Sequence, residues 1–302
     1  MDISVSVPVN SSTVVFNPLT VAEKIPSATL ELMPAMPTVI ATVTYEPPAT
    51  PTLIAMPTDD TRLLPAYWRE WTIIPDFSPN ARQILYQAKQ NQVLDLTSFS
   101  KVGDCQMVSG IFLGGYVRGQ YPIPSGLEAT VGWFSESMVR EGATASVGLG
   151  VNSVLNPMFG YAAGHQECEP KESPIACELR LSRPVVVMIA MGTNWKPNAE
   201  VSFEKHLRIL VEQILEFGSL PVLSTKADNV EVDWKLNLAI AKVAYDYDVP
   251  LVNVWRAVQD LPDQGLMLPP KNTYLSPDGW MRRNRVWLET LHQLHLILTE
   301  GK

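Results

Sequence analysis

The chemistry of this chain is expected at Cys105, which follows a strand-like run and a glycine. The run Phe99–Val102 leads into Gly103 and Asp104. A strand that ends in a glycine turn can lift the next side chain clear of the sheet edge, and enzymes present nucleophiles in this way. The alternative is a cysteine buried at a strand end, because free cysteine usually behaves as a small core residue.

A parallel sheet covered by helices is predicted to position this cysteine. The continuous apolar run Arg183–Gly192 is typical of a central parallel strand that is buried on both faces. Ser78 and Pro79 form a good helix start, with a capping hydroxyl followed by a proline. Further strands are predicted at 220–224 and 250–254, and further helices at 203–217, 232–247 and 277–298. This alternation predicts a single α/β domain.

Three loops should meet at one edge of this sheet. Cys105 follows the first strand, Gly192–Asn194 follows the second, and Ser224–Asn229 follows the third. Ligands of open parallel sheets bind beyond the carboxyl ends of the strands. We therefore expect the three loops to line one cleft.

The first part of the chain differs in composition from the rest. Residues 1 to 60 contain nine prolines, nine threonines and no glycine. Each proline removes a hydrogen-bond donor and fixes φ, so we predict a linker or stalk over residues 1–58 and the globular domain over residues 59–302. An irregular arm packed on the domain stays open as an alternative, because Val14–Phe16 and Thr38–Thr44 could add an edge strand.

Composition limits the partners of the chain. The net charge of −8 argues against nucleic acid, because no basic patch is present to neutralise phosphates. The longest clean apolar run, Pro184–Met191, is too short to span a bilayer. The start of the chain lacks the pattern of a signal peptide. A removed leader or an upstream cell-surface tether stays open.

Four motifs in this order resemble the SGNH (GDSL) hydrolase family. Val102–Gln106 resembles the first block, and Gly148–Gly150 with Asn152 and Ser153 resembles the second. Met191–Asn194 resembles the third block, and Tyr274–Trp280 resembles the last. The resemblance covers roughly residues 96 to 298 and is to secreted bacterial members. It implies a flavodoxin-like three-layer fold and an extracellular or cell-surface location.

The resemblance also assigns roles to individual residues. Cys105 stands where the family has its serine nucleophile, Lys271 where it has the aspartate, and Tyr274 where it has the histidine. Gly150 and Asn194 stand at the oxyanion positions. The aspartate that usually follows the third block is Trp195 here. The implied ligand is a small-molecule ester or an acylated carbohydrate, and no cofactor is implied.

These departures leave two hypotheses for the function. In the first, the protein binds an acylated glycan or wall polymer on an esterase scaffold whose hydrolysis is impaired. In the second, Cys105 is the nucleophile of an active esterase. Tyrosine is a poor general base at neutral pH, which favours the first hypothesis, whereas the oxyanion residues keep the second open.

Other polar residues give further alternatives. His165 could swing toward Cys105 as a substitute base, or it could be a surface residue. Asp278 is the fallback acid of a shifted alignment, but Met281 would then replace the histidine. We predict a Cys168–Cys177 disulfide with Cys105 free, because a loop of this size can close a disulfide in an oxidising compartment; two free thiols are the alternative. The four histidines are scattered and give no metal-site signature.

Overall fold

The computed structural model describes residues 61–194 and 196–301, without the side chain of residue 162. Its centre is a parallel sheet of four strands in the order β1–β2–β3–β4. The strands are β1 (Asp95–Gly103), β2 (Pro184–Ala190), β3 (Leu220–Ser224) and β4 (Leu251–Val252). All three strand pairs are parallel, so the four carboxyl ends lie at the same edge.

Helices cover both faces of the sheet. The α-helices are α1 (Pro79–Gln90), α2 (Gly114–Val117), α3 (Glu128–Trp133), α4 (Ser135–Val139), α5 (Pro174–Ser182), α6 (Glu200–Phe217), α7 (Lys235–Asp246), α8 (Val254–Ala257) and α9 (Pro277–Glu300). Helices α1, α3, α4 and α9 pack on one face, and α5, α6 and α7 pack on the other. Four 3₁₀ turns lie at Pro65–Glu70, Pro157–Phe159, Tyr161–Ala163 and Pro262–Gly265.

The burial of β2 explains why its sequence is apolar without alternation. Val186 and Met188 belong to one core cluster, while Val187 and Ile189 belong to the other. Successive side chains of a strand point to opposite faces, so a strand with helices on both sides needs apolar residues at every position. The predicted α/β fold class with a helix-covered parallel sheet is confirmed.

Several predicted elements have different ends in the structure, and for two of them the local structure gives the reason. Helix α7 begins at Lys235 rather than at Val232, because Val232 and Trp234 have left-handed φ values of 73° and 61°. The strand predicted at 250–254 is shorter, because Asn253 ends it. The Asn253 side chain accepts a hydrogen bond from the backbone N–H of Arg256 at 3.1 Å and so caps α8.

The free side of β1 is partly covered by a further extended segment. Gly103 forms an isolated parallel bridge with Ala145, and the Gly103 N–H donates to the Thr144 carbonyl at 2.9 Å. This bridge brings the segment that precedes Gly150 next to the end of β1, so the second motif reaches the same edge of the sheet as Cys105.

The predicted linker over residues 1–58 lies outside the described residues, and the domain boundaries stay a prediction. No helix in the described part of the chain is both long and apolar enough to cross a bilayer.

Candidate functional site

The turn after β1 is built around two residues that precede Cys105. A Cβ atom at Gly103 would lie 2.2 Å from Met107 Cγ and 2.5 Å from the Ala190 carbonyl oxygen, so only glycine fits there. The Asp104 carboxylate is buried and accepts a hydrogen bond from the Gln106 N–H at 3.0 Å. Together these contacts close a tight turn that leaves Cys105 half-buried at its outer side.

Gln106 joins this turn to the two other loops that carry motifs. Its Nε2 donates to the Thr193 hydroxyl at 2.9 Å and to the Thr273 carbonyl at 3.3 Å. The Thr193 side chain also hydrogen-bonds to Asp104. The residues next to Cys105, Asn194 and Tyr274 are therefore connected, although the family resemblance gave Gln106 no role.

The Cys105 thiol is held in its neutral form. Burial is the main cause that raises the pKa of Cys105, and the Asp104 carboxylate raises it further. Cys105 Sγ lies 3.9 Å from Asp104 Oδ1. The Tyr274 side chain hydrogen-bonds to the thiol and lowers its pKa by a smaller amount. Tyr274, the residue at the histidine position of the motif, thus supplies a phenol to the thiol instead of an imidazole.

A buried cation from α9 lies beneath the turn. The Arg283 guanidinium donates to the Gln106 carbonyl at 2.8 Å, and its other terminal nitrogen lies 3.0 Å from Met107 Sδ. Burial lowers the pKa of Arg283 to about 10, so it stays charged at neutral pH. Its charge attracts the charges of Asp104 and Cys105. Arg283 therefore opposes the effect of Asp104 on the thiol.

The residue at the aspartate position of the last motif is Lys271. It is exposed in the turn before Tyr274, where its backbone N–H donates to the Leu268 carbonyl at 3.0 Å. The charged groups that shift the pKa of Cys105 are Asp104 and Arg283. The cation that acts on the thiol thus comes from the last helix rather than from the aspartate position of the motif.

The two oxyanion candidates lie together in a neighbouring cavity. Gly150 and Asn194 line a pocket of about 230 Å³, and neither Cys105 nor Tyr274 is among its lining residues. The Asn194 side-chain amide donates one N–H to the Leu149 carbonyl at 3.2 Å. A side-chain amide has two N–H donors, so the second can still meet a ligand. The four predicted residues form two pairs, and their convergence on a single pocket stays a prediction.

The loop after β3 contains a buried ion cluster that lies next to the turn after β1. Lys226 Nζ lies 2.9 Å from Asp228 Oδ1 and also contacts the Glu231 carboxylate. A cavity of only about 10 Å³ separates Lys226 from Asp104 and Arg283. The loops after β1, β2 and β3 therefore meet at the carboxyl edge of the sheet, as their sequence order predicts.

His165 and the other two cysteines lie outside these two groups of residues. His165 Nδ1 lies 3.4 Å from Glu167 Oε1, in the segment just before the loop that the Cys168–Cys177 disulfide closes. The predicted disulfide is confirmed, and Cys105 is free. Among the described residues, one group has ligand atoms close enough for a metal, Cys168, Glu172 and Cys177, and its two sulfurs are already bonded to each other.

The shifted alignment of the last motif also fails to supply a base. Asp278 lies in the first turn of α9, and Met281 is half exposed. Both residues line a separate groove with Tyr116 and Tyr121. Trp195, the residue at the other aspartate position, lies outside the described residues.

Arg283 was the main residue that sequence reasoning missed. It lies in the charged run Arg282–Arg285, which is typical of a solvated helix face. It is also four residues before the buried Trp287 and three before Val286, on the apolar stripe of α9. A cation on such a stripe is a signal that could have identified it, because buried charge is rare without a partner.

Several solved hydrolase structures are similar to this chain. A GDSL-like lipase from Bacteroides thetaiotaomicron is 12% identical, with 72% of this chain and 99% of the lipase covered and a TM-score of 0.41. A putative SGNH hydrolase from Slackia heliotrinireducens is 17% identical, with 64% of this chain and 97% of the hydrolase covered and a TM-score of 0.44. A catalytic mutant of an acetylxylan esterase from Geobacillus stearothermophilus is 16% identical, with 64% of this chain and 93% of the esterase covered and a TM-score of 0.41.

Two of these structures are described as a GDSL-like lipase and an SGNH hydrolase, which are the family names that the four motifs resemble. No model of a known protein family matches the chain, and no curated protein matches it. At these identities and TM-scores we infer neither mechanism nor substrate from the likeness.

Proposed function

We propose that this protein is an extracytoplasmic, esterase-like binding protein that holds an acylated glycan or cell-surface polymer and hydrolyses it poorly or not at all. The observation that carries the proposal is the environment of Cys105. Its thiol meets a phenol and a carboxylate, and its pKa is raised. A nucleophile in this state lacks the base that ester hydrolysis requires.

The chemistry would stop early even if the thiol reacted. An unperturbed thiol near pKa 8.5 is only a few per cent thiolate at neutral pH, and a raised pKa reduces that fraction. Hydrolysis of the resulting thioester needs an activated water. Tyr274 is a weak base at neutral pH, and the Asp104 carboxylate accepts a hydrogen bond from Gln106. We therefore expect at most one acylation, without turnover.

The ligand-holding part of the site is less altered. Gly150 and Asn194 keep residue types that can donate hydrogen bonds to a carbonyl oxygen, and the pocket that they line is open to ligand. Such donors bind an acyl oxygen whether or not a nucleophile attacks the carbonyl carbon. Recognition of the acyl group can thus persist after hydrolysis is lost.

The location outside the cytoplasm belongs to the same proposal. The Cys168–Cys177 disulfide supports it, because disulfides persist mainly in oxidising compartments. The Pro/Thr-rich composition of residues 1–58 suits a spacer between the domain and a cell surface. An upstream tether would then hold the domain near the polymer that it binds.

An active cysteine esterase is the second candidate, and Arg283 favours it. A buried guanidinium stabilises a thiolate, because opposite charges interact strongly where water is excluded. If this cation outweighs Asp104 when a ligand closes the site, Cys105 could attack an ester without a histidine.

Calorimetric titration with acetylated xylo-oligosaccharides tests the binding function. We expect the acetylated ligand to bind more tightly than the same ligand after deacetylation, both to the wild type and to Cys105→Ala. Asn194→Ala should lose this preference, because it lacks the free amide N–H, and Asn80→Ala on α1 is the matched control. Equal binding of the two ligands by the wild type would refute the proposed function.

A further inference from the structure

The pocket of Gly150 and Asn194 is basic in an otherwise acidic chain. The chain has 31 acidic and 23 basic residues, yet none of the described residues that line this pocket is Asp or Glu. Lys196 and His206 both line it. The local charge is therefore opposite to the net charge of the protein, and local charge decides which ligand groups are attracted.

Lys196 is a cation without a partner inside the described part of the chain. It is exposed, and no carboxylate among residues 61–194 and 196–301 pairs with it. Lys235, in contrast, lies 2.7 Å from Asp233 Oδ2 and 3.7 Å from Glu200 Oε1. The ammonium group of Lys196 is thus the one at this pocket that a ligand can neutralise.

His206 is held with one ring nitrogen ready for a ligand. Its Nδ1 lies 2.6 Å from the Ser202 carbonyl oxygen, which can only accept, so Nδ1 carries the proton. Nε2 is then the ring nitrogen that can accept a hydrogen bond from a ligand hydroxyl. The Asn194 amide adds a further N–H on the wall of the same pocket.

We propose that this pocket binds a carboxylate carried by the acylated ligand, next to the acyl group. This inference rests on the proposed function. The ammonium group of Lys196 offers the charge-assisted hydrogen bond that a carboxylate prefers, the Asn194 amide can donate a second, and a neutral sugar would leave Lys196 unpaired. The carboxylate comes either from a uronate in the glycan or from a dicarboxylic acyl group, and both offer the same chemistry to the pocket.

Titration with charge-matched ligands tests the inference. The probes are an acetylated oligogalacturonide, the same compound with methyl-esterified carboxylates, and a neutral xylo-oligosaccharide that carries hemisuccinyl esters. For the wild type we expect the free acid to bind about tenfold more tightly than its methyl ester, since one charge-assisted hydrogen bond has about this effect. The difference should disappear in Lys196→Met and persist in Lys205→Met, which removes a neighbouring charge outside the pocket.

The hemisuccinyl probe identifies the source of the carboxylate. If only the hemisuccinyl probe needs Lys196 for tight binding, the carboxylate belongs to the acyl group. If only the oligogalacturonide needs Lys196, the carboxylate belongs to the glycan. Equal affinity of the wild type for the acid and its methyl ester would overturn the inference, as would equal losses in Lys196→Met and Lys205→Met.

The same titrations separate this inference from the proposed function. A preference for acetylated over deacetylated ligand without any preference for the free acid would leave the proposed function standing and remove the carboxylate site. A preference for the free acid without any preference for the acetyl group would support the carboxylate site and refute the proposed function.

Discussion

The two halves of the candidate cleft differ in how far the protein itself satisfies their polar groups. On one side, Cys105 meets Asp104 and Tyr274, and Arg283 donates to the backbone beneath the turn. On the other side, Asn194 uses one N–H on Leu149 and lines an open pocket. The polar groups around the thiol are thus hydrogen-bonded or paired within the protein, while the Asn194 amide keeps one N–H that can donate to a ligand.

This contrast shows how binding and turnover can separate on one scaffold. Turnover needs a base with a suitable pKa, and replacement of a single side chain removes it. Binding relies on several weaker contacts spread over two loops, and these survive such a replacement. Substitutions confined to one side should therefore change binding and turnover separately.

Tyr274→His should cause the largest change, because it places an imidazole against the thiol. A positioned general base typically contributes 10²–10⁴-fold, so we expect hydrolysis of 4-nitrophenyl acetate to rise by about 10²-fold. Tyr274→Phe is the control and should stay at the wild-type level. If Tyr274→Phe instead abolished a measurable wild-type activity, the phenol would be acting as the base, and the thiol side would not be inactive.

Glycine substitutions should distinguish the two sides by stability. Gly103→Ala places a Cβ 2.5 Å from the Ala190 carbonyl oxygen, so we expect the free energy of unfolding to fall by about 1–3 kcal/mol. In Gly150→Ala the nearest atom is Oδ1 of the exposed Asn152 at 3.1 Å, and the loss should stay below about 0.5 kcal/mol. Urea denaturation measures both, and equal losses would show that the ligand side is packed as tightly as the thiol side.

The pH dependence of Cys105 alkylation should report the charges around the thiol. Because burial and Asp104 raise its pKa, the rate with iodoacetamide should increase with pH and level off above the range of an ordinary thiol. Asp104→Asn removes a negative charge, lowers this pKa and should increase the rate at pH 7 by about 3- to 10-fold.

Lys271→Met is the comparison for this experiment. It should leave the alkylation profile unchanged, because Arg283 rather than Lys271 is the cation that acts on the thiol. A profile that shifts to higher pH in Lys271→Met would show that Lys271 also lowers the pKa of the thiol.

The sequence predicted the scaffold better than the charges of the site. The apolar run of β2 and the Ser78-Pro79 helix start indicate their elements directly, because burial on both faces and capping leave local signals. The pairing of Cys105 with Tyr274 followed from motif order. Arg283 was missed because spacing along a chain does not show which turn of α9 lies beneath which loop.

Backbone conformation also escaped prediction where side-chain contacts within a loop determine it. The pattern from Val232 onward suits a helix, yet the Asn229 side chain accepts from the Trp234 N–H at 3.1 Å and holds the loop open. The buried cluster of Lys226, Asp228 and Glu231 fixes the same loop. Neither contact leaves a periodic signal in the sequence, so the helix start was placed too early.

Steady-state hydrolysis by the wild type and by Cys105→Ala tests the central claim most directly. With 4-nitrophenyl acetate in excess, both proteins should give the same background rate, and intact-mass spectrometry should find at most one acetyl group on the wild type. A single acetylation without turnover fits a thiol that reacts once and lacks a means of deacylation. Multiple turnovers that disappear in Cys105→Ala would contradict the account and identify the protein as a cysteine esterase.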